Sequence, residues 1–234
     1  MTKNRLIREG AALVVAACLT QACQSHYSLY QVTAQRVEMT NSFDRHPNSE
    51  VLSIITPYKH SVDSTMNSVI GVSDVQMTPG QPESLLTDFV ADLLYDEARD
   101  IDPAVDFAVI NVGGMRANMP KGNVTTGNIF EIAPFENILT ILSMKGSDVK
   151  QLMVNIADFK GQGVSRQVRM LIGPEGLKSV SLDGKEIDEN KVYKVATLDY
   201  LAEGNDKLTA FKQAIKVEMP GNTAIRDLII SHIK

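Results

Sequence analysis

An apolar run that stops in a glycine pair constrains this chain more than any other feature. Phe107-Ala108-Val109-Ile110 is apolar and β-prone and reads as a buried strand. The run breaks at Asn111 into Gly113-Gly114, where a backbone without Cβ atoms turns sharply and lets a ligand approach closely. Arg116 then projects a planar, permanently charged fork suited to carboxylate or phosphate. Pro120 and Gly122 make a turn, Thr126-Gly127-Asn128 opens a short helical segment, and Pro134 ends it, leaving Phe135 beside the next apolar run at 138–144. A strand ending in Gly-Gly-x-Arg, followed by an aromatic at a proline break, has the character of a site rim.

The rest of the chain supplies elements of both kinds. Residues 27–44 alternate weakly (Tyr30, Val32, Val37, Met39), which predicts one strand. Val51, Leu52, Ile54, Ile55, Tyr58, Val62 and Met66 recur at helical spacing despite Pro57, which predicts a helix kinked or restarted there. Residues 68–73 read as a strand, 77–82 as a loop, and 83–98 as an amphipathic helix with Leu85, Leu86, Phe89, Val90, Leu93 and Leu94 on its apolar side. Downstream, 138–144 is a strand, and a helix runs to 157 with Ser147 or Asp148 as its N-cap. Gly161-Gln162-Gly163 is a glycine break. Residues 165–172 and 177–182 pair as a hairpin, 182–185 is a tight turn, and 192–198 is a strand that delivers Asp199-Tyr200. Helices over 206–214 and 223–233 flank a short strand at Val217-Glu218. Strands and helices interleave but hairpins are frequent, so the class is α+β.

At the N-terminus, Lys3, Arg5 and Arg8 precede an apolar stretch over 11–19 that is too short to span a bilayer, the pattern of an export signal. Both cysteines, Cys18 and Cys23, fall at its end, so the body of the chain has no disulfide framework. The arrangement resembles a bacterial lipoprotein signal. Val15-Ala16-Ala17-Cys18 fits the lipobox by residue type, whereas Cys23 gives the longer apolar region and a polar mature start, and Cys23 is the preferred lipidation site. An ordinary secretory peptide is the remaining alternative. The expected location is the bacterial cell envelope, periplasmic or outer-membrane anchored, with membrane contact through lipid alone. A net charge of −5 without basic clusters argues against nucleic acid as a partner.

Residues 111–139 resemble the signature of the C-terminal domain of 5'-nucleotidases and UDP-sugar hydrolases, which runs N-G-G-G-I-R, then P-x-G-x-I-T, then L-P-F-x-N. Downstream, Asp199-Tyr200-Leu201-Ala202-Glu203-Gly204-Asn205-Asp206 is similar to the family's N-F-L-A-x-G-G-D. The likeness covers roughly residues 65–234. It divides the chain into a signal peptide (1–23), an N-terminal extension of strand and helix (24–64) joining the main domain, and a 5'-nucleotidase C-terminal-like domain (65–234). It implies a four-layer α/β/β/α sandwich. It also implies that Phe135 and Tyr200 stack on the two faces of a nucleobase, although on residue type alone both read as ordinary core aromatics. Asn111 and Arg116 would lie around the ribose and its neighbouring groups, Gly113 and Gly114 would set the turn that aims Arg116, and Asp206 would accept from the ribose hydroxyls. Asn137 fits the pattern as a structural residue.

The chain also departs from the family. Tyr stands at 200 where Phe is common. Gln76-Met77-Thr78 stands where an arginine is usual. Gly204-Asn205-Asp206-Lys207 replaces G-G-D-G, which sets a cation beside the diol-binding carboxylate. Complete enzymes of the family hydrolyse their substrates in a separate metallophosphatase domain with two metal ions, held by D-x-H and G-N-H-[DE] motifs. Nothing like these occurs here, and His26, His46, His60 and His232 are scattered without ligand spacing. No catalytic residue, metal ligand or cofactor is therefore expected in this chain. The expected function is nucleoside or nucleotide binding, with a separate metallophosphatase chain as partner. The alternatives are a binding-only lipoprotein and a structural surface lipoprotein.

Overall fold

The computed structural model describes residues 29–38, 40–41, 45 and 47–234. The expected signal segment, with Cys18 and Cys23, lies outside the described residues. The chain divides into two units, 1–49 and 50–234. In the first, the strand expected within 27–44 is absent from 29–38. Tyr30, Val32 and Val37 stand in solvent there, so their alternation has no sheet face to bury.

Helix α1 (Ser49–Met66) begins at the unit boundary and runs through Pro57 as one continuous helix, without a restart there. A proline inside a helix removes one hydrogen bond and strains the turn before it, but here the flanking residues keep helical geometry. Its apolar residues do keep helical spacing, yet Leu52, Ile54, Ile55, Tyr58 and Val62 are all exposed. No helix among the described residues is long and apolar enough to cross a membrane.

The body of the unit is built on a five-stranded sheet. Its strands are β2 (Phe107–Ile110), β4 (Leu139–Lys145), β5 (Gly163–Val164), β8 (Val192–Leu198) and β9 (Lys216–Glu218), in the order β5-β2-β8-β4-β9. All four β2 residues are buried, as a central strand covered on both faces requires. Each fully buried large side chain, such as Phe107 or Ile110, contributes about 1.5–3 kcal/mol. β2 runs parallel to β8, and β4 runs antiparallel to β8 from Leu139↔Leu198 to Lys145↔Val192. Ile110 and Leu198, the C-terminal ends of β2 and β8, therefore finish at the same end of the sheet, where β4 begins. Buried polar groups lock this arrangement: Thr197 Oγ1 donates to the Val109 carbonyl at 2.9 Å, and the Ala108 amide donates to Ser165 Oγ at 2.9 Å.

Helices α2 (Leu85–Ile101) and α4 (Gly146–Asp158) pack on the sheet, and α6 (Ile225–Ile233) packs against α2. Ser84 caps α2 by accepting from the Thr87 amide, and Leu86, Val90, Leu93 and Leu94 form its buried face. Leu85, expected on that face, is 62 % exposed: the buried stripe begins at its neighbours Leu86 and Thr87, and Leu85 stands beside it. α4 has no side-chain cap, contrary to the expectation for Ser147 or Asp148. β4 passes directly into α4 at Gly146, whose amide donates to the Lys191 carbonyl. A Cβ on Gly146 would sit 1.8 Å from the Asp188 carbonyl oxygen, so only glycine permits that junction.

The hairpin of β6 (Val168–Gly173) and β7 (Gly176–Leu182) forms as expected. A ribbon of β1 (Val69–Ser73) and β3 (Gly122–Thr125) adds an unexpected strand: Gly122 belongs to the expected turn, and 123–125 carry no expected element. It leads into α3 (Thr126–Ile132), capped reciprocally by Thr125 and Asn128. The helix expected over 206–214 shrinks to a 3-10 turn, Thr209–Gln213. Asp206 and Lys207 have φ of 51° and 62°, a left-handed conformation that an α-helix cannot contain. The short α5 (Asp199–Ala202) starts instead at the end of β8. The whole is the α+β sandwich that the resemblance implied.

Candidate functional site

The shared end of β2, β8 and β4 opens into a cavity of about 330 Å³ lined by Asn111, Gly113, Arg116, Phe135, Asn137, Tyr200 and Asp206. All the residues singled out from the sequence except Gly114 meet there; Gly114 lines a small void that shares Asn111, Phe135 and Asn137. The topology explains the convergence. Asn111 follows β2, Tyr200 follows β8, and Phe135 and Asn137 precede β4. The Asp199 amide donates to the Ile138 carbonyl at 2.9 Å, and Asp199 Oδ1 accepts from the Ile138 amide at 3.0 Å, which ties the last two segments together.

Asp206 is the polar centre. Its Oδ2 accepts from Asn111 Nδ2 at 2.6 Å, and its Oδ1 accepts from the Tyr200 hydroxyl at 3.1 Å. That hydrogen bond, with the carboxylate charge behind it, pushes the Tyr200 phenol pKa above its usual value. Asn111 is 5 % exposed, and its Oδ1 is buried without a hydrogen-bond partner.

Phe135 is 48 % exposed and Tyr200 is 41 % exposed, whereas Phe107 and Phe211 are fully buried. Exposure on one cavity rim removes the core-aromatic reading of both rings. Neither packs against another ring: the aromatic pair among the described residues is Phe89 with His232. Tyr200 is fixed along its length, since its amide donates to Asp199 Oδ1 and its carbonyl accepts from Asn205 Nδ2.

The glycine pair serves space rather than unusual dihedrals, since neither residue has positive φ. A Cβ on Gly114 would stand 2.9 Å from Asn111 Oδ1, while one on Gly113 would meet only Asp206 Oδ2, at 3.9 Å. Arg116 donates Nη1 to the Gly113 carbonyl at 3.1 Å and forms no ion pair among the described residues, so its charge is available to an anion. Among the described residues it is the one cation lining the cavity. Lys207 does not replace the arginine missing near Gln76-Met77-Thr78, because its ammonium lies 5.5 Å from the Phe159 ring centre and outside the cavity lining.

Gln162 was not singled out from the sequence. It is 3 % exposed, and its Oε1 accepts from the Val112 amide at 2.8 Å, holding the 3-10 turn Val112–Gly114 that carries Gly113. The available signal was a polar side chain between two glycines. Asn137, read as structural, also lines the cavity. A larger cavity of about 610 Å³ lies between α2 and β6, lined by Glu83, Asp88, Asp92, Arg166 and Arg169 among others, and contains none of the converging residues. Chemistry rather than size makes the smaller cavity the candidate site. Among the described residues no group of three or more His, Cys, Asp or Glu is placed to hold a metal ion.

Residues 69–213 match the family described as 5'-nucleotidase, C-terminal domain. The chain is 29 % identical to the NAD 5'-nucleotidase of Haemophilus influenzae over 202 residues, covering 73 % of this chain and 33 % of that protein. It is 26 % identical to protein UshA of Yersinia enterocolitica over 178 residues, covering 74 % of this chain and 32 % of that protein. The chain thus spans about a third of the length of these relatives. The crystal structure of a 5'-nucleotidase precursor from Thermus thermophilus superposes with a TM-score of 0.68 at 22 % identity, covering 78 % of this chain and 39 % of that one. That likeness establishes the fold.

Proposed function

The chain belongs to the 5'-nucleotidase C-terminal domain family, and from that premise we propose that it binds a nucleoside or nucleotide in the cavity at the end of β2, β8 and β4. One observation carries the reading: two large aromatic rings stand exposed on the rim of a cavity whose centre is a carboxylate. Every nucleobase has a π-face, and stacking contributes about 1–3 kcal/mol per base. Asp206 suits a vicinal diol, Asn111 holds that carboxylate through its Nδ2, and Arg116 meets an anionic group such as a phosphate oxygen.

In this reading the chain's residues bind and orient, and hydrolysis falls to a separate metallophosphatase chain carrying two divalent metal ions. The support is that the family match is to the C-terminal domain of 5'-nucleotidases. The N-terminal pattern supports export, with Cys23 as the lipid attachment site. A binding-only protein is the second reading. A cavity with the single cation Arg116 balanced by Asp206 offers little net charge to a phosphate, which favours it.

The test is calorimetric titration with adenosine, AMP, UMP and a UDP-sugar, for the parent chain and a Phe135→Ala/Tyr200→Ala variant. Binding by the parent, weakened at least about thirtyfold in the variant by loss of both stacking contacts, supports the site. Absence of binding to all four, or equal binding by the variant, refutes it. The partner is tested by metal-dependent phosphate release from AMP in envelope fractions. Release that disappears when this chain is deleted supports the partner, and unchanged release leaves the binding-only reading.

A further inference from the structure

We infer that the Tyr200 hydroxyl stands in for a sugar hydroxyl, so that this site accepts deoxyribonucleosides about as readily as ribonucleosides. The inference rests on the nucleoside reading of the cavity and adds a substrate class to it.

A ribose diol would satisfy a carboxylate by donating one hydroxyl to each oxygen. In this chain each Asp206 oxygen already has a donor from the protein, Asn111 Nδ2 on Oδ2 and the Tyr200 hydroxyl on Oδ1. The donors are preorganised. Tyr200 is held at its amide by Asp199 and at its carbonyl by Asn205, and the Asp206 backbone is fixed in a left-handed conformation.

A ring without the hydroxyl, as with the phenylalanine common in the family, leaves Oδ1 to the ligand once the base has displaced water. A ligand lacking that hydroxyl then strands a charged acceptor, and a hydrogen bond to a charged group is worth roughly tenfold or more in affinity. With Tyr200 the acceptor stays satisfied whichever sugar is bound, so the ligand gains little from its own hydroxyl. A carboxylate has room for further donors, which leaves a modest residual preference for ribose.

The experiment is calorimetric titration of the full chain, parent and Tyr200→Phe, with adenosine, uridine and their 2'-deoxy and 3'-deoxy forms. Tyr200→Phe keeps the ring face, and matching thermal melts verify that it folds. The expected parent preference for ribose is within about threefold, rising to about tenfold or more in Tyr200→Phe through loss of deoxynucleoside affinity. A parent that already discriminates tenfold, or a variant that leaves the ratio unchanged, overturns the inference while the nucleoside site stands. Failure of the parent to bind any of these nucleosides overturns both.

Discussion

Replacing Gln162 with methionine tests whether the site depends on a side chain that touches no predicted ligand contact. Gln162 is 3 % exposed, and its Oε1 is the acceptor for the Val112 amide at 2.8 Å. Methionine keeps the volume and removes the acceptor, so the amide at the head of the glycine turn is left without its partner. Stranding such a group costs about 1–3 kcal/mol. For a folded body of this size each kcal/mol lowers the midpoint by about 2–4 °C, which gives an expected fall of roughly 2–12 °C by calorimetric melting. The loss should be local as well as global. Hydrogen exchange across 111–116 is expected to speed up at Val112 and Gly113, while β4 and β8 keep their protection. Nucleoside affinity should fall too, because the same turn sets Gly113 and, through the Gly113 carbonyl, the Arg116 guanidinium. A variant with the parent midpoint and unchanged exchange at Val112 would show that the turn is held by something else, and the positioning role of Gln162 would be refuted.

Two further outcomes follow from the same geometry. Gly114→Ala places a Cβ 2.9 Å from Asn111 Oδ1 and displaces the amide that holds Asp206, whereas Gly113→Ala meets nothing closer than 3.9 Å. Thermal melts should show Gly114→Ala destabilised by about 1.5–3 kcal/mol, the worth of a hydrogen bond to a charged group, with Gly113→Ala near the parent; equal midpoints would refute the crowding argument. In the larger cavity, burial first and then the charges of Glu83 and Asp92 push the Asp88 carboxyl up to about 6, with Arg169 opposing them. The folded state then holds more protons than the unfolded one between about pH 4 and pH 6, so this group's contribution to stability falls as pH rises through that window. Asp88→Asn should flatten that fall and melt higher than the parent at neutral pH; parallel stability curves for the two proteins would count against the burial of this carboxyl.

The cavity owes its composition to strand order. Tyr200 and Asp206 are far along the chain from Asn111, yet β8 runs beside β2 in the same direction and β4 starts against the end of β8. Loops leaving that end of the sheet must converge. The Asn111–Asp206 hydrogen bond then closes the cavity floor across 95 positions of sequence.

The amino-acid sequence by itself determined the elements whose signals are local. The apolar run 107–110, the glycine hairpin turn, the proline stop at Pro134 and the amphipathic stripe of α2 each carry their own conformational preference, and each formed where expected. The text around Asn111, Arg116, Phe135, Tyr200 and Asp206 likewise marked the residues that line the cavity. Tertiary structure decided what depends on partners. The alternation at Tyr30, Val32 and Val37 predicted a strand that has no ladder to join, and β3 formed from a turn-like stretch because β1 offered one. The helix expected over 206–214 gave way to a left-handed bend that aims Asp206 at Asn111 and Tyr200. Gln162 became visible only when folding buried it beneath the Val112 amide. A hydrogen bond between distant segments leaves no periodicity in the chain, and for that reason the residues were legible in the sequence while their pairings were not.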